Sequence, residues 1–224
     1  MIIVTGASGG IGSELIKELS KFDNIVCLYN KNKYKFTHEN IINYQINLES
    51  EKEIKKFTDT IKPQHITIIH LAALYVNKLV INMTLDDLDK QYAVNFRSIF
   101  ALMKYLLPKM MSYGGHLINF SSPAVSIGQP GTSGYATFKA SLEAFTKIIH
   151  NEYSKFNIRS NLIILGYYNL GIYKKLPAAV QKKLLNTINE KKLCNVSEIS
   201  NAIIKLLKTN DSGSVIRLDE GIIK

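Results

Sequence analysis

Tyr135 and Lys139 stand four residues apart, so on a helix both side chains leave from one face. A free phenol titrates near ~10 and is a poor acid–base catalyst at neutral pH. A neighbouring ammonium favours the phenolate, but bringing a phenol close to ~7 takes about 4 kcal/mol of differential interaction, which requires a partly desolvated pocket. Ser122 follows an apolar run that ends in Phe120. A hydroxyl there can donate to a substrate oxygen and stabilise developing alkoxide charge. Together these residues are equipped to move a proton to or from an oxygen atom.

A second chemical signal lies at the start of the chain. Ile2-Ile3-Val4 runs into Thr5-Gly6-Ala7-Ser8-Gly9-Gly10-Ile11-Gly12, after which a helical pattern begins. Glycines at 6, 10 and 12 have a GxxxGxG spacing, not GxGxxG, and no Gly-Lys-Ser/Thr follows to make a P-loop. Residues without side chains let the backbone approach a pyrophosphate, which then meets the N–H groups and positive end of the helix. The turn therefore predicts dinucleotide binding.

The elements that must position these groups alternate along the chain. Ile2–Val4, Ile25–Leu28, Ile66–Ile69, His116–Phe120 and Ser160–Ile164 read as short strands buried on both faces, with weaker candidates at Ile41–Tyr44 and Ser214–Leu218. Helical patterns fall over Gly12–Lys21, Ser50–Ile61, Leu85–Met111, Tyr135–Phe156 and Ser197–Lys208. This alternation forces crossover connections, hence a doubly wound parallel sheet, a Rossmann-type three-layer α/β/α arrangement in a single domain over residues 1–224. Ser121–Gly134 and residues 166–195 break the rhythm beyond the carboxyl ends of strands, where ligands bind in such sheets. The second segment is expected to be a substrate lid.

Composition sets outer bounds. The 224 residues are 46% hydrophobic and 21% charged, enough for an ordinary core and unlike a disordered chain. Cys27 and Cys194 match no metal-ligand or redox spacing and read as buried or free thiols in a reducing compartment; no metal is expected. Ile66–Val76 is too short to span a bilayer, and Met1 leads straight into the first strand without a basic leader, so a cytoplasmic protein is expected. The net charge of +10 comes from scattered lysines, not an Arg-rich block or aromatic platform. Neither a nucleic-acid nor a membrane partner is expected from it.

Taken in order, these residues resemble the short-chain dehydrogenases/reductases, in their short single-domain branch. Thr5–Gly12 is similar to that family's TGxxxGxG motif; Asn95, Ser122, Tyr135-Ala136-Thr137-Phe138-Lys139 and the closing Gly213–Gly221 follow in place. The resemblance implies that Tyr135 protonates a carbonyl oxygen as hydride arrives. Lys139 lowers the phenol pKa and holds the nicotinamide ribose, Ser122 orients the carbonyl, and Asn95 holds a water that links Lys139 to solvent. Ser121 competes for the serine role, but the family's Ser–Tyr spacing favours Ser122. The implied cofactor contacts are Gly6, Ser8, Gly9, Gly10 and Ile11 in the turn, then Asn30 and Lys31. Beyond these come Asn47 and Leu48, Ala72 and Ala73, Tyr135 and Lys139, and Gly166.

Several positions depart from the family pattern. Asn30 stands where NAD-preferring members carry Asp, and Lys31 or Lys33 could pair with a 2′-phosphate, so NADP(H) is expected over NAD(H). Asn47 replaces an Asp that touches the adenine amino group, a bond an amide oxygen can still accept. His70-Leu71-Ala72-Ala73 replaces NNAG, with His70 read as a structural histidine. Leu165-Gly166 replaces Pro-Gly, and Leu170 stands where a threonine often meets the carboxamide. The lid carries Lys174, Lys175, Lys182, Lys183, Lys191 and Lys192 with Tyr167, Tyr168 and Tyr173, suiting an acidic or phosphate-bearing substrate as well as a merely solvated face. The expected activity is ketone reduction, similar to 3-oxoacyl-acyl-carrier-protein reductases with a small-molecule or carrier-bound substrate. A sugar or polyketide ketoreductase, or a catalytically weak dinucleotide-binding sensor or scaffold, are the rivals. A homodimer or homotetramer is also implied.

Overall fold

The computed structural model describes residues 1–34, 38–186, 188 and 193–219. Seven parallel strands form one sheet in the order β3-β2-β1-β4-β5-β6-β7. They are β1 (Ile2–Thr5), β2 (Ile25–Tyr29), β3 (Ile41–Gln45), β4 (Ile66–His70), β5 (Gly115–Ser121), β6 (Ile158–Leu165) and β7 (Val215–Leu218). The five runs predicted to be buried on both faces are the five inner strands, and the two weaker ones are the edges. Strand order reverses beside β1, whose Ile2–Thr5 pair with Ile25–Leu28 on one side and Thr67–His70 on the other. That reversal opens a crevice at the carboxyl ends of the strands.

Helices cover both faces. On one, Leu15, Ile16 and Leu19 of α1 (Gly10–Leu19) pack with Ile199, Ile203 and Leu206 of α9 (Val196–Lys208) against alternate residues of the central strands. The other layer holds α2 (Glu51–Asp59), α4 (Ser98–Met110) and α6 (Ser133–Tyr153), whose Ile54, Phe57, Leu102, Leu106, Leu142 and Phe145 meet Ile3, Ile68 and Leu117. Helix starts follow local chemistry: Ser50 accepts from the Glu53 N–H, and Asn195 accepts from Ser197. Thr84 and Asp87 form a reciprocal capping box that opens α3 (Leu85–Tyr92).

One predicted helix is not continuous. Between α3 and α4 the chain makes a π-helical turn over Ala93–Arg97. The apolar face carries through the turn, so hydrophobic periodicity alone cannot reveal it. The other helices shift at their ends: α1 begins at Gly10, and α6 spans Ser133–Tyr153 before a short 3₁₀ turn. The lid holds α7 (Gly171–Lys174) and α8 (Ala178–Leu185). A further short helix, α5 (Ala124–Ile127), lies within the Ser121–Gly134 loop. Lys191 and Lys192 of the predicted basic lid, and Glu220 and Gly221 of the closing motif, lie outside the described residues. Among the described residues no helix is long and apolar enough to cross a membrane.

The lid is fastened at both stems to the end of β7. The Leu218 carbonyl accepts from the Gly166 N–H at 2.8 Å, the Tyr168 hydroxyl at 3.3 Å and the Cys194 thiol at 3.6 Å. Cys194 also donates its N–H to the Tyr167 carbonyl at 2.9 Å. Gly166 must be glycine here, because a Cβ would lie 2.5 Å from the Cys194 sulfur. Cys27 and Cys194 are both buried, and neither forms a disulfide.

Candidate active site

A cavity of about 790 Å³ occupies the crevice at the strand ends. Its floor is the glycine turn. Gly6 has φ +67°, and a Cβ there would meet the Ala72 backbone at 2.8 Å, so the turn and the loop after β4 approach as closely as backbone permits. The Thr5 hydroxyl accepts from the Ala72 N–H at 3.0 Å and locks that approach. At Gly10 a Cβ would fall 2.5 Å from Gly171 N, which brings the lid down onto the first turn of α1. A backbone cradle at a helix start, in the crevice of a parallel sheet, fits a dinucleotide pyrophosphate.

Every predicted cofactor-contact residue lines this cavity: Gly6, Ser8, Gly9, Gly10 and Ile11, Asn30 and Lys31, Asn47 and Leu48, Ala72 and Ala73, Tyr135, Lys139 and Gly166. Ser122 lines it as well, as do Leu165 and Leu170. Lys33 does not, which leaves Lys31 as the cation of that pair on the cavity wall. The Asn47 amide oxygen already accepts from the Glu49 N–H at 3.0 Å, so an adenine would share that oxygen with the turn. Asn95 is also absent from the wall. It lies fully buried in the π turn, where its amide accepts from Leu74 N–H and donates to Leu74 O, both at 2.8 Å. Its side chain therefore positions the loop after β4.

The proton-moving residues meet at the carboxyl end of β5. Lys139 donates to the Phe120 carbonyl at 2.9 Å, with its Nζ 5.9 Å from the centre of the Tyr135 ring. The Ser121 hydroxyl donates to the Lys139 carbonyl at 3.3 Å, whereas the Ser122 hydroxyl accepts from the Ala124 N–H at 3.3 Å and acts on the Tyr135 phenol. Both serines line the cavity. Burial pushes the Tyr135 phenol up to about 12; the Ser122 bond opposes this, and nearby Tyr75 and Tyr167 add to the rise. The sequence expectation was the reverse, a phenol lowered by Lys139. Desolvation of a fully enclosed ring outweighs an ammonium that lies over the ring and not at its oxygen. Lys139 is itself brought down to about 8 by burial.

His70 lies behind this group and off the cavity wall, with Nε2 3.5 Å from the Ser98 hydroxyl. Burial, then the Lys139 charge, brings it down to about 3, so it is a neutral core histidine. Asn161 is likewise structural: its amide bonds to His116, the Asp211 carbonyl and the Ser214 N–H.

Three contributors were not singled out from the sequence. Tyr75 stands edge-on to Tyr135, with ring centres 5.1 Å apart at 82°. Gln129 completes the same end of the cavity. Gln91, fully buried, accepts from the Val76 N–H at 3.2 Å and supports the Tyr75 loop. The legible signal for Tyr75 was its place just past the end of the fourth strand. Gln91 and Gln129 carried none.

A single α/β sheet with a glycine turn at its switch point, and a Ser–Tyr–Lys group on the same cavity, defines a dinucleotide-dependent oxidoreductase fold. The family described as short chain dehydrogenase matches residues 1–181, and the chain belongs to it. It is similar to the 3-oxoacyl-acyl-carrier-protein reductase FabG of Buchnera aphidicola, with 28% identity across 98% of this chain and 96% of the relative. The enzyme of that name from Rickettsia typhi is 30% identical over 83% of this chain and 81% of its own length. A (3R)-3-hydroxyacyl-CoA dehydrogenase of Canis lupus familiaris is 27% identical over 66% of this chain and 58% of its own.

Proposed function

We propose that this protein reduces a ketone to a secondary alcohol with a nicotinamide dinucleotide, NADPH in preference to NADH. The observation that carries the reading is the convergence of Ser122, Tyr135 and Lys139 on the cavity that the glycine turn also lines. The cofactor, when bound, supplies hydride to the carbonyl carbon. Ser122 donates to the carbonyl oxygen, and the Tyr135 hydroxyl gives that oxygen its proton. Burial keeps the Tyr135 phenol protonated through the neutral range, so release of its proton to the forming alkoxide depends on neighbouring groups that offset this desolvation. As the phenolate forms, the Lys139 ammonium over its ring stabilises it. Asn95 acts from behind, by fixing the loop that carries Ala72 and Ala73.

Lys31 supports NADPH, since it offers a cation to a 2′-phosphate where Asn30 offers no repelling charge. The names of the relatives support a 3-oxoacyl substrate, free or carrier-bound, with a sugar or polyketide ketone second. Two buried cysteines outside any disulfide support a cytoplasmic setting. A homodimer or homotetramer belongs to the same reading. Leu165 and Leu170, aliphatic at the nicotinamide end, favour one rival, a binding protein with weak turnover. Titration with NADPH and NADH, read by nicotinamide fluorescence, followed by turnover of a 3-oxoacyl thioester, separates these readings. Tighter NADPH with turnover supports the reductase; binding without turnover of any ketone supports the sensor; no binding of either nucleotide removes both.

A further inference from the structure

We propose that the substrate end of the cavity is a tyrosine-walled slot that selects ketones bearing an aromatic or flat unsaturated group beside the carbonyl. The inference rests on the reductase reading for where the carbonyl sits. Tyr75 presents its ring to Tyr135 at 5.1 Å, and its hydroxyl is held by the Asn77 amide at 2.7 Å. Asn77 is in turn packed on Gly131, where a Cβ would lie 2.7 Å from its amide oxygen, and Lys78 N–H bonds to the Gly131 carbonyl. Tyr75 is therefore fixed from the loop side. From the lid come Tyr167 and Tyr173, with ring centres 5.8 Å apart at 30°. The Tyr173 hydroxyl donates to the Gln181 carbonyl at 3.2 Å, and the Tyr167 hydroxyl is buried.

The phenol oxygens of Tyr75 and Tyr173 are thus held by neighbouring protein groups, and the rings are what the cavity meets. Among the described lining residues the single carboxylate is Glu49, which follows Asn47 and Leu48 at the adenine end. Polar partners at this end are Ser122, Gln129 and the lid's Lys174 and Lys175, so hydroxyls placed against the tyrosine rings themselves would lack partners. A saturated chain would gain burial but no preferred geometry. A flat π group gains edge and face contacts with the rings and is oriented by them.

The test uses two thioesters that differ only beyond the ketone, 3-oxo-3-phenylpropanoyl- and 3-oxobutanoyl-N-acetylcysteamine. The phenyl compound should show a kcat/KM about tenfold higher, a preference of the size aromatic contacts confer. The ratio should fall toward one in Tyr75→Leu and persist in Tyr75→Phe. If Tyr75→Leu does not fold, Tyr167→Leu takes its place. A ratio near one in wild type, or one that Tyr75→Leu leaves intact, overturns the slot. Ligand-observed NMR of acetophenone against butanone decides the slot without turnover. Ring protons saturated by wild type and weakened in the leucine variant support it, and equal or absent saturation overturns it. Failure of both thioesters to turn over counts against the 3-oxoacyl substrate alone, and the NMR comparison still decides the slot.

Discussion

Tyr135 lies beside Ser122 with its ring beneath the Lys139 ammonium, and burial keeps its phenol protonated at neutral pH. Tyr135→Phe should lower kcat about 10²–10⁴-fold, the usual worth of a positioned acid, while NADPH affinity stays close to wild type by fluorescence titration. Lys139 supplies a pH signature of its own. Its folded value of about 8 lies below its ordinary 10.5, so the unfolded chain holds the proton longer and this group's stabilising contribution rises between those values. The charge that supports phenolate is lost over the same range. Above pH 8, kcat should therefore fall while the stability of wild type gains on that of Lys139→Met; urea melts and rate profiles on one pH series check both. At this scale the sequence was informative for groups recognised by type and spacing. Gly6, Gly10, Ser122, Tyr135 and Lys139 were all legible. The sign of the Tyr135 shift was not, because it depends on how deeply the folded chain buries the ring, with Tyr75 and Tyr167 from two distant segments adding to the rise.

At the scale of elements, all seven strands were visible, because a sheet covered on both sides demands uninterrupted apolar runs. The π turn was not. Its purpose is clear only in three dimensions: it lets Asn95 face Leu74 with both halves of its amide and so sets the loop that ends in Tyr75. Asn95→Ala should destabilise by about 1–3 kcal/mol, since it leaves two partly buried backbone groups of Leu74 without partners. Asn95→Asp should recover only the bond donated by the Leu74 N–H, and chemical denaturation measures both. Gly10→Val should leave the sheet intact but displace the lid, because its Cβ would press on Gly171 N. Circular dichroism should be unchanged, and KM for the nucleotide should rise at least about tenfold, as expected when a backbone cradle is filled.

Across the whole molecule, two buried imidazoles bind the fold to neutral pH. His70 is held near 3 by burial and Lys139, and His116 near 3 by burial, Arg159 and His65. Both folded values lie below the ordinary 6.5, so each contributes stability above 6.5 that is lost as pH falls toward 3. By pH 5 the loss is about 2 kcal/mol per histidine, and His116→Gln should flatten the acid side of a melting-temperature profile. A different whole-molecule feature runs from the core to the surface: Tyr92 of α3, Phe96 of the π turn, Phe100 of α4 and the buried Phe145 of α6 form a chain of ring contacts, with Phe100 half exposed. If the proposed assembly uses that surface, Phe100→Glu should shift the light-scattering mass to that of one chain. The Leu218 carbonyl, finally, receives both stems of the lid although it lies in β7, far along the chain from Gly166. A polypeptide released by the ribosome before that residue would already possess its glycine turn, Ser122, Tyr135 and Lys139, yet could not hold its roof. Synthesis as far as Leu218 is thereby coupled to competence, and copies terminated before it would be idle.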